Sequence, residues 1–458
     1  MHPLYEIVLA DIRSDISQMA EEGHDENALM GELEAAASKR SLDALVALQE
    51  DLWRRPSPAG YPYDEPNDWE SISRHFPDAT LRSSEATSLR STSPGPTSGH
   101  VGDDDLADRL LAAWQGRCAS CQLGKPVEGA APAQVRELLT AVGSWPLLEY
   151  MNPVDEPRRQ ALTDSSEAFR AYYHEGLCKG NFHSVAPDDD IHYTITGQLV
   201  LERFGPEFTP QQAIDTLIDI TPVSSLYAAG KSMFRTALFG LTPPYTAVYG
   251  NPCRQSLGGQ IRCDPWGWAA PGNPHLAARM AHRDASNSQV RNGIYSAIFF
   301  SALMASALVQ GDAVQALHTA ERYVPPKSRF AEMLNFVKSE CAAQESWERV
   351  NEAIRSRYRA ETRIVNHSLP NAAIVVTALL KGEGDFSRTI GLAVMPGLDT
   401  DCNGATAGSI MGCALGTRGI PTHWTDPFHD RIRTHLKGLP EIRITEMAER
   451  MHRVVRQP

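Results

Sequence analysis

The sequence is poor in several features that would give a function away. Positive charge is short: 43 Lys and Arg stand against 56 Asp and Glu, a formal net charge of −13. That excludes a nucleic-acid binder held by phosphate contacts. An anionic substrate stays open, because a bound divalent cation reverses the local sign. Cysteine is sparse and irregular, eight in 458 residues. Only Cys118 and Cys121 form a C-x-x-C, with no second pair at zinc-finger spacing and no βαβ context. Structural zinc and a redox role are therefore not expected. Several other cysteines sit in apolar helical surroundings, which suits buried thiols and a cytoplasmic location. Long hydrophobic runs are missing. The most apolar segment, 294–309, is shorter than a membrane span and carries Ser296, Ser301 and Ser306. It reads as a buried central helix, with no membrane partner. The N-terminus has acids where a signal peptide would be basic. Alternating strand patterns of useful length are absent too.

What is present is helical periodicity. Thr209 with Pro210, and Asn273 with Pro274, are N-cap and first-turn pairs, and Asp312 opens another helix. The expected fold class is all-α, a compact many-helix bundle with a central metal-binding cleft. Three parts are expected. Residues 1–76 form a helical extension that packs on the main domain, or alternatively a separate module. Residues 77–103 are rich in Ser, Thr, Pro and Gly and read as a flexible linker. Residues 104–458 form the main all-α domain. Within it, 243–273 is a long Gly- and Pro-rich loop with four aromatic residues and two arginines. A loop of that length inside a compact domain is commonly functional.

Two acidic clusters carry the chemistry. "GLDTDCNGATAGS" places Asp399 and Asp401 before an apolar helix of small residues. Capping needs one acid, so the second asks for a reason; capping and metal binding are evenly matched on this stretch alone. "VAPDDDIHYT" places Asp188, Asp189 and Asp190 before a second apolar helix. Neither cluster has a Lys or Arg beside it in sequence. If the two helix starts converge, multivalent cations must hold the carboxylates together. All-oxygen ligation by Asp favours Mg²⁺, Ca²⁺ or Mn²⁺ over zinc. Gly404, Gly408, Gly412 and Gly416 make a narrow helix that could approach the helix after Asp190, or merely pack tightly in the bundle.

These motifs, in this order, together with "GRCASCQLGKPVEG" upstream, resemble the ADP-ribosylglycohydrolase family over roughly 105–420. The resemblance implies an all-α hydrolase with a two-Mg²⁺ centre that cleaves a ribosyl N- or O-glycosidic bond. It implies Asp189, Asp190, Asp399 and Asp401 as metal ligands, with Asp188 beside them. Glu128 matches a glutamate near the family's site, and Glu128 or Asp190 would orient or deprotonate the water. Asn251, Arg254, Arg262, Trp266 and Gly397 would bind substrate; core packing is the competing reading for each Trp of the loop. The chain departs from the family where Asp188 and Cys402 replace hydroxyl residues, and a neutral thiol is a poor Mg²⁺ ligand. His192 is expected as a hydrogen-bonded or charged partner of the acids, and Arg117 and Lys125 as surface or phosphate-side charges. The partner is a small-molecule ribosyl or ADP-ribosyl substrate. Removal of ADP-ribose from protein side chains and ligand binding without turnover are the alternatives. Oligomeric state is not legible.

Overall fold

A computed structural model describes residues 2, 4–77, 101–359, 361 and 364–456. Most of the linker expected over 77–103 therefore lies outside the described residues. The architecture is all-α. Among the described residues the named strands are Arg431–Arg433 and Glu441–Arg443, a short antiparallel pair near the C-terminus. The cap signals act locally. Thr209 accepts from the Gln212 N–H, Asn273 from the Leu276 N–H, and Asp312 from Val314 and Gln315. Each satisfies N–H groups that a helix start leaves without partners.

The centre of the bundle is the helix Asn292–Gln310. By length and composition it could cross a membrane, but 94% of its apolar window is buried inside the protein. Its near-uniform apolarity is that of a helix surrounded on all sides.

The pair that sets up the cleft is Asp103–Gly124 against Thr400–Leu415. A Cβ on Gly116 would lie 2.1 Å from the Gly408 carbonyl oxygen, and one on Gly412 would lie 2.2 Å from that of Ala112. Gly404 meets the Ser120 carbonyl at 2.6 Å, and Gly124 meets that of Thr400 at 2.2 Å. The contacts step four residues along each helix in opposite directions, so the helices run antiparallel with backbones touching. These contacts show the small residues in tight bundle packing, the second of the two readings. Their partner is Asp103–Gly124, which carries its own small residues at the same four-residue spacing. The antiparallel register brings the start of one helix, with Asp399 and Asp401, to the end of the other, with Lys125 and Glu128 just beyond. The Thr400 hydroxyl fastens that end by donating to the Gly124 carbonyl at 2.7 Å.

The N-terminal segment forms three helices, Tyr5–Glu21, Glu26–Ser38 and Leu42–Arg54, around a small core of its own that includes Leu9, Ile12, Ile16, Leu29 and Leu45. It meets the rest of the chain through charge. Asp15 and Glu22 pair with Arg254, and Glu65 pairs with Arg329.

Candidate functional site

The two acidic clusters meet. Asp188, Asp189, Asp399 and Asp401 line one cleft of about 280 Å³, with Glu128 and Lys125 at its edge. Asp190 lies just beneath, fully buried. The thiol of Cys402 donates to Asp190 Oδ2 at 3.0 Å, a direct contact between two motifs 212 residues apart. Within each cluster, candidate ligand atoms of Asp188, Asp189 and Asp190, and of Asp399, Asp401 and Cys402, lie within 4.8 Å of one another.

Local structure aims these groups. Asp188 is the N-cap of the helix Asp189–Phe204, accepting from the Asp190 N–H at 3.0 Å. So the bland reading holds for one acid, while Asp189 and Asp190 sit in the first turn with their carboxylates directed elsewhere. At the other cluster, Gly397 and Leu398 both have positive φ, 78° and 66°. A non-glycine residue there is strained, at a cost of order 1–3 kcal/mol, and such strain gathers at functional turns.

The cationic partners correct one expectation. The first cluster does not lack local positive charge once the chain is folded, whereas Asp399 and Asp401 have no basic partner among the described residues. Lys125 pairs with Asp188, and Arg117 pairs with Asp190 Oδ1 at 3.1 Å and with Asp264 at 2.8 Å. Arg117 is fully buried and also donates to the Asp190 and Ile261 carbonyls, so it is a structural cation and not a surface charge. Sequence proximity could not show this, because Arg117 is 73 residues from Asp190.

With Asp188 and Asp190 paired, Glu128, Asp189, Asp399 and Asp401 have no Lys or Arg bridge among the described residues. Burial, then the neighbouring carboxylates, pushes Asp189 and Asp401 well above the usual carboxylate range. Burial raises Asp399 too, against hydrogen bonds that lower it. Glu128 is pushed up to about 7 by partial burial, then by Asp399 and Asp188, with Lys125 opposing. Asp399 Oδ1 and Asp401 Oδ1 are buried with no hydrogen-bond partner. Orphaned carboxyl oxygens in a cleft wall fit a hard divalent cation, which supplies the missing contacts and stabilises their ionised form.

Cys402 is held neutral, its thiol pushed well up by burial and by the carboxylates around it. Its hydrogen bond to Asp190 makes it a donor to a ligand candidate, not a ligand of Mg²⁺. His192 is likewise neutral. Burial, with some help from His435 and Lys125, lowers it to about 4, and its Nε2 accepts the His435 backbone N–H at 3.1 Å. His192 is therefore a partner of backbone and not of the acids: its Nδ1 is buried without a hydrogen-bond partner.

The substrate-binding residues expected from the long loop divide. Arg262 lines the cleft while pairing with Asp284 at 2.9 Å. Arg254 faces away, tied to Asp15 and Glu22 of the N-terminal helices. Asn251 staples the loop, donating to the Ala247 and Ser288 carbonyls at 2.8 Å each. Trp266 is 1% exposed and stacked on Phe208 at 4.7 Å, so core packing wins there. Gly397 permits a turn: a Cβ would sit 2.3 Å from the Ala130 carbonyl oxygen. These four do not line the cleft.

Other cleft residues were missed. Tyr227, 60% exposed, stands at the rim beside Ala228, Ala229 and Gly230. His435 arrives on the connection between the two strands and meets Ser225 at 3.2 Å. A small-residue helix start and a lone histidine offer no spacing signal. Lys125 was legible in part, since it stands three residues before Glu128 in the same motif.

Comparison with known proteins identifies the family. A model of the ADP-ribosylglycohydrolase family matches residues 102–457. No curated protein matches. Among solved structures, an "ADP-ribosylglycohydrolase-related protein complex" is 20% identical, covering 77% of this chain and 99% of that one at a TM-score of 0.49. That likeness is too remote to bear on function.

Proposed function

The chain belongs to the ADP-ribosylglycohydrolase family, and on that premise we propose that it is a divalent-cation-dependent hydrolase of ribosyl bonds. The observation that carries this reading is the pair of buried, unpartnered oxygens on Asp399 and Asp401, in the same cleft wall as Asp188 and Asp189. Asp189, Asp399 and Asp401 would hold the cations, with Asp188 and Asp190 contributing from positions already braced by Lys125 and Arg117. We favour two Mg²⁺, with Mn²⁺ as the substitute, since hard divalent cations suit all-oxygen carboxylate ligation. Bound there, such ions polarise ribose hydroxyls and lower the pKa of a coordinated water.

The protein groups divide the remaining work. Glu128 is exposed at the cleft edge, with its carboxyl lifted to about 7. It suits a general base near neutral pH that takes the proton of the attacking water. Water oxygen then bonds to the anomeric carbon as the bond to the leaving nitrogen or oxygen breaks. Glu128 returns its proton to that leaving group. Asp190 is the weaker candidate for this task, since Arg117 and Cys402 engage both of its carboxylate oxygens. The remaining carboxylates stabilise the oxocarbenium-like character of the transition state.

A cleft of about 280 Å³ lies near the small end of ligand sites, ~300–1,000 Å³. We favour a small-molecule riboside or an ADP-ribosyl or NAD-derived nucleotide as the substrate, in a specialised biosynthetic setting, with removal of ADP-ribose from protein side chains as the alternative. The eight unpaired cysteines suit a reducing, cytoplasmic compartment.

The test is a substrate screen with Mg²⁺ and with chelator: ADP-ribosyl-arginine, ADP-ribosyl-serine, NAD⁺ and simple nucleosides. Mg²⁺-dependent release of a ribosyl product supports the proposal, and the preferred leaving group sorts its versions. Tight ADP-ribose binding without turnover of any of these would replace the hydrolase with a binding protein.

A further inference from the structure

The helix Tyr5–Glu21 ends the wrong way round. Glu21 is its last residue and Glu22 its C-cap, and the last turn carries no basic residue. Acids at a helix C-terminus face the negative end of the dipole. Both side chains are also largely buried, 10% and 9% exposed. Gln18 of the same helix donates to Glu21 Oε2 at 3.0 Å, and further compensation comes from the main domain, from His367 and Arg329 for Glu21 and from Arg254 for Glu22.

Glu21 Oε2 accepts from His367 Nε2 at 2.8 Å. His367 Nδ1 in turn accepts the Leu369 N–H at 3.2 Å, as N-cap of the helix Ser368–Lys381. One contact fixes the other. With its proton on Nε2 for Glu21, the imidazole has a lone pair on Nδ1 for the helix start. On the first turn of that helix stands Asn371, fully buried. Its Nδ2 donates to the His367 and Val365 carbonyls at 2.8 Å each. Its Oδ1 accepts the Asp399 backbone N–H at 3.3 Å and Asn403 Nδ2 at 2.7 Å. The path is unbroken from the N-terminal helix to the second acidic cluster.

Glu22 acts alongside. Its carboxylate takes Arg254 Nε at 3.2 Å and Gln255 Nε2 at 3.3 Å. Residues 254–258 pair with 366–368 through Leu257 N–H to the Asn366 carbonyl and Ser368 N–H to the Gln255 carbonyl. Ser256, Leu257, Gly258 and Asn366 line the cleft. So adjacent glutamates grip both segments of one cleft wall from behind.

We propose that Glu21 is a positioning residue for the second acidic cluster, acting through His367 and Asn371, and that the N-terminal extension is thereby part of the active site's support. The inference rests on reading this cleft as the active site. Outer partners that orient metal ligands commonly matter tenfold or more for affinity.

The experiment is hydrogen exchange by mass spectrometry on the full chain, with Mg²⁺ affinity by calorimetry. The variants are Glu21→Ala, Glu21→Gln and Glu21→Asp. Asp11→Asn is the control, because Asp11 pairs with Arg235 at the same interface but off the path. In Glu21→Ala, peptides spanning 398–403 should exchange roughly threefold faster, and Mg²⁺ affinity should fall about tenfold. Glu21→Gln keeps an acceptor for His367 and should restore both. If Glu21→Ala unfolds residues 5–54, Glu21→Asp decides, since it keeps the charge but is too short to reach His367. Unchanged exchange at 398–403, or an equal rise in Asp11→Asn, overturns the proposal. Should even the wild type bind no Mg²⁺, the functional reading fails, while the exchange data still decide the coupling.

Discussion

Replacing Asp401 with Asn should stabilise the protein in chelator and destabilise it, relative to wild type, in Mg²⁺. Asp401 is 3% exposed, and its Oδ1 has no partner. Burial, then the charges of Asp188, Asp399 and Glu128, lifts its carboxyl well above the ordinary 3.8. An acid whose pKa is raised by folding binds its proton more tightly in the folded chain. Its contribution to stability therefore falls as pH rises from 3.8 towards the folded value. At pH 7 without cations, Asn removes this burden at nearly constant shape. An unsatisfied buried polar group costs about 1–3 kcal/mol. Unfolding entropy of about 2.1 cal/mol/K per residue amounts to about 1 kcal/mol/K over this chain. The expected gain is thus about 1–3 °C in Tm.

Cations reverse the order. One site at a hundredfold excess over Kd contributes about 2.7 kcal/mol, or about 3 °C here. Wild type should gain this on adding Mg²⁺, and Asp401→Asn should lose most of it. The assay is a pair of melting curves at pH 7, one in chelator and one in Mg²⁺. The readout is the exchange of rank, which does not depend on the absolute scale. A variant that melts below wild type in chelator, or that keeps the full Mg²⁺ shift, refutes the reasoning. A second check lies in pH: the chelator gap between variant and wild type should shrink as pH falls towards 4.

Other perturbations test other links. Glu128→Gln should lower kcat by about 10²–10⁴ while leaving the Mg²⁺-induced rise in Tm in place; loss of the rise would make Glu128 a ligand instead. Arg117→Ala strands Asp190 and Asp264 in the core, and should cost about 3–5 kcal/mol, read as a fall in chemical-denaturation midpoint. Gly408→Ala puts a methyl 2.1 Å from Ser120 Oγ and 2.3 Å from the Gly116 carbonyl. It should cost about 1–3 kcal/mol or more, whereas Gly31→Ala, with nothing within 4 Å, should gain about 0.5–1 kcal/mol. Burial raises Glu65, but the charge and hydrogen bonds of Arg329 outweigh it and hold the carboxyl below its ordinary 4.5. Its contribution is full above 4.5 and lost as pH falls through the lower folded value, so acid should expose residues 55–68, the stretch that Glu65 ties to Arg329, to protease before the main domain unfolds.

What could be read from the sequence was local. Thr209, Asn273 and Asp312 announced helix starts because a cap and its N–H partners lie within three residues. The acidic clusters were legible because three adjacent aspartates, or two flanking one residue, are hard to justify by capping. The four-residue rhythm of Gly404, Gly408 and Gly412 was visible, but its partner was not. That depends on the matching surface of Gly116 and Ala112, roughly 300 residues earlier. Arg254 and Arg262 show the limit most clearly. Both lie in one loop, eight residues apart, and either could have faced the cleft. Only the presence of Asp15 and Glu22 behind the loop turns Arg254 away.

The two clusters are not equivalent, and the reason lies in the helices that present them. Asp188 to Asp190 open a helix whose N–H groups and dipole favour anions, and Lys125, Arg117 and Cys402 engage Asp188 and Asp190, leaving Asp189 without a basic partner among the described residues. Asp399 and Asp401 open a helix as well, but the Asp399 side chain makes no cap hydrogen bond, and each acid leaves an oxygen bare. With Gly124 packed against Thr400, the backbones of the two helices touch at the foot of this cluster. The fold thus satisfies two acids of one cluster from within and leaves Asp189 and the other cluster dependent on what enters the cleft. Its geometry is set from outside by Asn371, and through His367 by a glutamate in the N-terminal helices.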